Sequence, residues 1–392
     1  MSAIGLTRGP RPLTQRRWVD RVAGDDRSAP IRHVDVVLFA ATISLIGLGL
    51  LFVYSATRKV PTLDSDPSVY LKKQVIAATV GLVAMVVLAV VDLRRIRGAT
   101  WLWYGIGILA LALVISPVGS FAKGAQAWFQ VGPVQVQPSE FMKLAVILAL
   151  AAVACRDGGA LSGRGMAACV AVVGLPLALI MLQPDLGTGL VFLMIVLAVT
   201  TASGVRARVL VGLVIMGIAV TIAAFNLGVF KQYQIDRFTS FLNPDKGAAD
   251  VAYNLEQSVA AIGSGGIQGR GLFNGVQNEL GYVPEQHTDF IFTVVGEELG
   301  FFGGVLTIGL LGVVMWRVWR VAQLAGDLSG TLCCVGVLAM LAFQVFENIG
   351  MTMGIMPITG IPLPLVSYGN SALIGTCAAL GLVQSIHMRR FQ

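Results

Sequence analysis

Residues 34–54, VDVVLFAATISLIGLGLLFVY, contain a single acid and no base. As a helix, a run of that length climbs about 30 Å, the thickness of a bilayer's hydrocarbon core. Comparable apolar runs recur at 74–91, 99–116, 138–154, 167–182, 187–203, 208–230, 289–316, 331–350 and 367–387. With 56% hydrophobic and 12% charged residues, the 392-residue chain lacks the polar surface a water-soluble globule of this size needs. The sequence therefore predicts an all-α polytopic membrane protein of about ten transmembrane helices. Residues 1–33 carry seven arginines and read as a disordered basic cytoplasmic tail, 34–387 as the membrane domain, and 388–392 as a cytoplasmic C-terminus. No stretch of the tail is apolar enough for a signal-peptide core, so the first run reads as an uncleaved anchor.

Basic residues orient the spans, because cytoplasmic loops are enriched in them. With both termini in the cytoplasm, 18 Lys and Arg fall inside and 9 outside, leaving Lys143 within a span. The net charge of +7 is thus an orientation signal and an attraction to anionic lipid. Nucleic-acid binding is excluded, since no basic stripe interleaves with aromatics. Cys155, Cys169, Cys333, Cys334 and Cys377 lie in or beside apolar runs without metal or redox spacing, and read as small core residues. The histidines at 33, 287 and 387 are too dispersed to suggest a metal cluster.

Three outer segments are unusual. Residues 117–137 form a long Gly-rich connector whose Trp128 and Phe129 suit the interface. Residues 231–288 form a large extracytoplasmic loop between spans seven and eight. In it, Ile235, Phe238, Phe241 and Leu242, then Val251, Leu255, Val259 and Ile262, recur at helical spacing and predict two short amphipathic helices. Residues 351–366 are apolar yet hold three prolines and two glycines. Backbone that irregular at membrane depth must be enclosed by protein or line a polar cavity.

Ionisable residues gather around these segments. Glu140 and Lys143, at i and i+3 in QPSEFMK (137–143), share a helix face, either as a structural ion pair or as part of a polar cavity. GSGGIQGRG (263–271) has a phosphate loop's composition without its fingerprint; it reads as a turn or as an amide nest beside Arg270. In GYVPEQHTDFIF (281–292), Asp289 stands where a span begins, as a helix cap or as chemistry. Glu297 and Glu298 are then expected about 12 Å deeper, facing helices or a cavity. Glu347 is a further cavity candidate.

KGAQAW (123–128), QPSEFMK, QPDLGTG (183–189), FLNP (241–244), QSVAAIGSGGIQGRG (257–271), PEQHTDFIF (284–292), EELGFFG (297–303), ENIGM (347–351) and GIPLPLVSYGNS (360–371) together resemble the shape, elongation, division and sporulation family of ten-span membrane peptidoglycan glycosyltransferases. The QPSE-x-x-K and NIGM patterns resemble the elongation-type member more than the division-type member. The resemblance implies polymerisation of lipid II on the outer face of the bacterial plasma membrane, with a class B penicillin-binding protein transpeptidase as partner. It makes Asp289 the essential acid and Glu140 and Lys143 a functional pair. Lys123, Arg270, His287 and Ser367 complete the candidate substrate-binding residues. Asn370 departs from the family's usual second glycine in SYGGS; Asn tolerates left-handed backbone, so the turn is expected to survive.

Displacement at an anomeric carbon by a sugar hydroxyl calls for one carboxylate as base, and a lipid pyrophosphate leaves without a general acid if its charge is offset. A divalent metal ion, magnesium or manganese, or basic side chains would provide that offset. Two other readings stay open: a lipid-precursor flippase whose path is lined by Glu140, Lys143, Glu297 and Glu347, and a non-catalytic scaffold.

Overall fold

The computed structural model describes residues 33–58, 68–122, 125–132, 134–156, 161–226, 228, 232–242 and 249–390. Most of the tail expected at 1–33, and the last two residues, lie outside them. Among the described residues, seven helices are long and apolar enough to cross a membrane: α1 (Val36–Thr57), α2 (Val69–Val90), α5 (Pro138–Arg156), α6 (Gly163–Leu182), α12 (Ile291–Leu324), α13 (Leu328–Thr352) and α14 (Asn370–Met388). Shorter apolar helices α4 (Thr100–Ile115), α7 (Leu186–Ala202) and α8 (Ala207–Asn226) stand at the other three expected positions. The short α3 (Leu93–Gly98), with three of the chain's arginines, was not anticipated.

Local signals start several of these helices. Asp35, Ser162, Asp185 and Asp327 each accept a backbone N–H of the first turn, at 3.0 to 3.2 Å, capping α1, α6, α7 and α13. Small residues then let helices approach. A Cβ on Gly381 of α14 would stand 2.5 Å from the Met85 carbonyl oxygen of α2, and one on Gly336 of α13 would stand 2.9 Å from Ile147 of α5.

The two amphipathic helices expected in the large loop are present as α9 (Gln232–Leu242) and α10 (Ala249–Gly265), followed by the single turn α11 (Val276–Glu279). The 117–137 connector is more ordered than its glycines suggested. It forms a three-stranded antiparallel sheet of β1 (Ser120–Ala122), β2 (Ala125–Val131) and β3 (Val134–Val136). AQAWFQV and VQV carry a period-two pattern hidden beneath the segment's composition.

Helix α12 corrects the expected depth of its acids. Its 34 residues would run about 51 Å if straight, far more than a bilayer requires. It is broken at Gly300 (φ 62°, ψ −152°). Beyond the break it lies antiparallel to α1. Arg317 pairs with Asp35 at 2.6 Å at one end, and Ser55 donates to Glu298 at the other. Together the two contacts set α12 alongside the length of α1. Glu298 is thus level with the last turn of α1, and the inward progression expected from Asp289 to Glu298 does not occur.

The glycine loop closes this break, so it is neither a loose turn nor a phosphate nest. Arg270 and Gly271 donate their N–H groups to the carbonyls of Glu297 and Glu298, both at 3.0 Å, and Phe301 donates to Gly266 at 2.9 Å. These bonds satisfy backbone groups the kink would otherwise strand in a buried place. The acids' side chains are equally committed. Glu297 accepts from the N–H groups of Gln277 and Asn278 at 2.8 and 3.1 Å, and Glu298 accepts from Asn278 Nδ2 at 3.0 Å.

Gly269 sits at φ 80°, and a Cβ there would collide with the Glu298 carbonyl. Gly269→Ala is expected to cost on the order of 3 kcal/mol, from left-handed strain plus overpacking. A lowered thermal midpoint in detergent, beside an unchanged Gln268→Ala control at the neighbouring exposed position, is the expected result.

Candidate functional site

Asp289 lies in a tight turn before α12. Its N–H and that of Thr288 both donate to the Glu285 carbonyl at 3.1 Å, and Glu285 itself holds a left-handed backbone at φ 52°. The residue capping α12 is Phe290, which makes no side-chain cap bond. Asp289 is therefore not the helix cap, and its half-buried carboxylate is directed elsewhere.

That direction is toward the Pro- and Gly-rich loop 353–369. Asn348 of α13 donates both amide hydrogens, one to the Asp289 carbonyl and one to the Ile361 carbonyl, each at 2.7 Å. This clamps the Asp289 turn against the loop. A Cβ on Gly360 would stand 3.2 Å from Asp289 Oδ2 and 3.8 Å from Arg237 Nη1. The carboxylate and the guanidinium thus both border the space that a side chain at position 360 would fill. Arg237 also donates to the Thr359 carbonyl at 3.4 Å, which anchors α9 over the loop.

The second half of this irregular apolar loop is enclosed, whereas Met353 and Ile355 in its first half are exposed. Leu363, Leu365 and Val366 are buried, and Leu365 adopts φ 66°. A non-glycine residue in that region stores strain, and such strain gathers at functional sites. Ser367 closes the turn, its Oγ accepting from the Leu363 N–H at 2.8 Å, while its carbonyl accepts from Gln74 at 3.0 Å. Asn370 is the first residue of α14 and follows Gly369, whose φ of 173° is extended, so no left-handed backbone is required of it. His287 is packed edge-on to Tyr70, with ring centroids 5.0 Å apart, and lies 5.5 Å from the Tyr368 ring. Tyr368 also donates its N–H to the His287 carbonyl at 2.9 Å.

A second cluster adjoins. Glu140 and Lys143 form a 2.7 Å ion pair with side chains only 5% and 3% exposed. Asp185 belongs with them: Gln137 Nε2 donates to it at 3.1 Å, as do the Thr188 hydroxyl at 2.7 Å and N–H at 3.0 Å. Burial pushes the Asp185 carboxyl up from the usual range, and neighbouring Glu140 adds to the rise against the pull of the Thr188 bonds and Lys143. The two clusters are joined through α9, where Gln234 donates to the Pro184 carbonyl at 3.3 Å and Arg237, one turn on, reaches Thr359. Gly187 completes the join, since a Cβ there would stand 3.1 Å from the Thr359 carbonyl oxygen.

Of the residues singled out from sequence, the fold places Asp289, His287 and Ser367 at one loop, and Glu140 and Lys143 in the cluster that Asp185 and α9 link to it. Arg270 is placed apart, exposed at the α12 break, with Nε donating to the Ser264 carbonyl at 3.3 Å. Lys123 lies outside the described residues. Arg237, Asp185 and Asn348 are the additions. Arg237 follows Gln234 by three residues on an amphipathic helix, and Asp185 opens α7 after a proline, so each had an ordinary reading in one dimension. Among the described residues no three His, Cys, Asp or Glu side chains gather as a metal cage.

Comparison with known proteins agrees with this architecture. Residues 36–392 match the family model of the FtsW, RodA and SpoVE cell cycle proteins. The chain is 37% identical to stage V sporulation protein E of Bacillus subtilis over 90% of its own length and 96% of that protein. It is 35% identical to the peptidoglycan glycosyltransferase MrdB of Escherichia coli, covering 91% and 94%. Among solved structures, it superposes with a TM-score of 0.77 on a chain of a peptidoglycan synthase complex, at 34% identity and covering 92% and 99% of the two chains. The rod shape determining protein RodA of Thermus thermophilus gives 0.67 at 33% identity, covering 92% and 98%. With the family model matched across nearly the whole chain and the same fold in solved relatives, this multi-pass membrane protein belongs to the FtsW/RodA/SpoVE family of cell cycle proteins.

Proposed function

We propose that this chain is a peptidoglycan glycosyltransferase that polymerises lipid II into glycan strands at the outer face of the bacterial plasma membrane, in elongation and shape maintenance. The observation that carries it is the half-buried Asp289 carboxylate, which meets Arg237 at Gly360, beside the Glu140–Lys143 and Asp185 cluster. One acid and a nearby cation are what the chemistry needs. Asp289 accepts the proton of the acceptor sugar's 4-hydroxyl as its oxygen attacks the donor's anomeric carbon. The bond from that carbon to the lipid pyrophosphate breaks, and its electron pair leaves with the pyrophosphate. Arg237 and Lys143 are the basic groups that support anion binding here.

A divalent ion remains part of the reading. Magnesium commonly takes one or two protein carboxylates and completes its shell with substrate phosphates and water. The residues present fit an ion held in that way, by Asp289 together with the lipid pyrophosphate, where it would offset the leaving group's charge. The ten-span arrangement with both termini in the cytoplasm rests on the distribution of Lys and Arg. A class B penicillin-binding protein is the proposed partner, a reading supported by the likeness to a chain from a peptidoglycan synthase complex.

Purified full-length protein, given fluorescent lipid II in detergent and in liposomes, tests the reading. Glycan ladders without independent headgroup translocation are expected. Translocation without ladders, with or without a transpeptidase added, would overturn polymerisation in favour of a flippase.

A further inference from the structure

Three polar side chains of α13 lie on one face, at i, i+3 and i+4, and all are shut away from solvent: Gln344 is 2% exposed, Glu347 1% and Asn348 0%. Gln344 Oε1 and Asn348 Oδ1 are orphaned, and the Glu347 carboxylate has only the Thr359 hydroxyl, which faces it from the loop without forming a well-aligned hydrogen bond. Among the described residues Glu347 also has no ion-pair partner. The orientation of the Asn348 amide is fixed, since its nitrogen is spent on the Asp289 and Ile361 carbonyls. Its oxygen therefore turns away from those two bonds.

Orphaned buried acceptors cost free energy, and an isolated buried carboxylate costs more. A proton on Glu347 would remove the charge yet satisfy at most one of the remaining acceptors. A cation beside Glu347 and Thr359 would neutralise the carboxylate and take up acceptors on this face that a proton leaves unsatisfied. The donor set is entirely oxygen, which suits a hard ion. Its formal charge is −1, which a monovalent ion neutralises and a divalent ion would leave in excess. The surroundings suit it as well, for the irregular segment 353–369 brings non-helical backbone against a polar, enclosed face of a membrane helix. We infer that Gln344, Glu347, Asn348 and Thr359 form a binding site for a small monovalent metal cation, with sodium as the probe. By neutralising Glu347 the ion braces the wall of α13 from which Asn348 holds the Asp289 turn. Sodium binding at this place does not require that the chain polymerise glycan.

The test is thermal unfolding of the full chain in detergent, titrated with sodium chloride against choline chloride at constant ionic strength, with a parallel magnesium series. A saturable rise of about 5 °C in the midpoint with sodium is expected. Glu347→Gln should lose the sodium-dependent rise. Gln344→Leu should keep it but shift its half-saturation to about tenfold higher sodium, so the site stays testable if Glu347→Gln does not fold. A midpoint indifferent to sodium would mean that water or a proton fills the space, and would overturn the site. So would a response given by magnesium alone, or a sodium response that Glu347→Gln leaves intact.

Discussion

Asp289→Asn is expected to abolish glycan polymerisation while the protein stays folded and still binds lipid II. The change is nearly isosteric and leaves the Asp289 carbonyl in place for Asn348, so the clamp on the turn survives. What disappears is the proton acceptor. Loss of a positioned general base commonly slows a reaction by a factor of about 10² to 10⁴. Strand synthesis from labelled lipid II, read beside thermal midpoint and lipid II affinity, checks this. Activity within about tenfold of the unchanged protein, with all three measured on one preparation, would remove Asp289 from the base role.

Lys143→Met should have the largest effect on stability. It strands Glu140, a carboxylate with a side chain 5% exposed, beside the Asp185 carboxylate, and breaking a buried pair in this way costs about 3 to 5 kcal/mol. Glu140→Gln combined with Lys143→Met removes both charges, so most of that loss should return. The same pair of variants separates structure from chemistry. If stability and polymerisation both recover in the double variant, the ion pair only holds α5 in place. If stability recovers while polymerisation stays lost, the lysine's charge is used on substrate, as the proposed function requires.

Different residues were readable to different degrees. The apolar runs became helices near their expected positions, because burial of the backbone in lipid leaves a helix few alternatives. The loop helices α9 and α10 were equally plain from their periodicity. Asp289 was conspicuous, though it is Phe290 that stands at the cap of α12. Glu297 and Glu298 misled for a clear reason. A helix read from sequence is taken as straight, and only the bonds from the 266–271 loop reveal that Gly300 interrupts it. The glycine loop misled in the same way, since a run of glycines signals close backbone approach without saying what approaches.

That this chain crosses a membrane several times, which ionisable residues accompany its irregular loops and which family its motifs resemble could all be read from the order of the residues. These are local properties, fixed by hydrophobicity, by spacing along a helix and by the identity of short segments. Only in three dimensions do Arg237 and Asp289 meet at Gly360, does Asp185 join Glu140 and Lys143, and is Glu347 shut away from solvent. Each of those facts joins residues tens to hundreds of positions apart. Such partners are set by which helices lie side by side and where they break, and no local pattern in the chain encodes that arrangement.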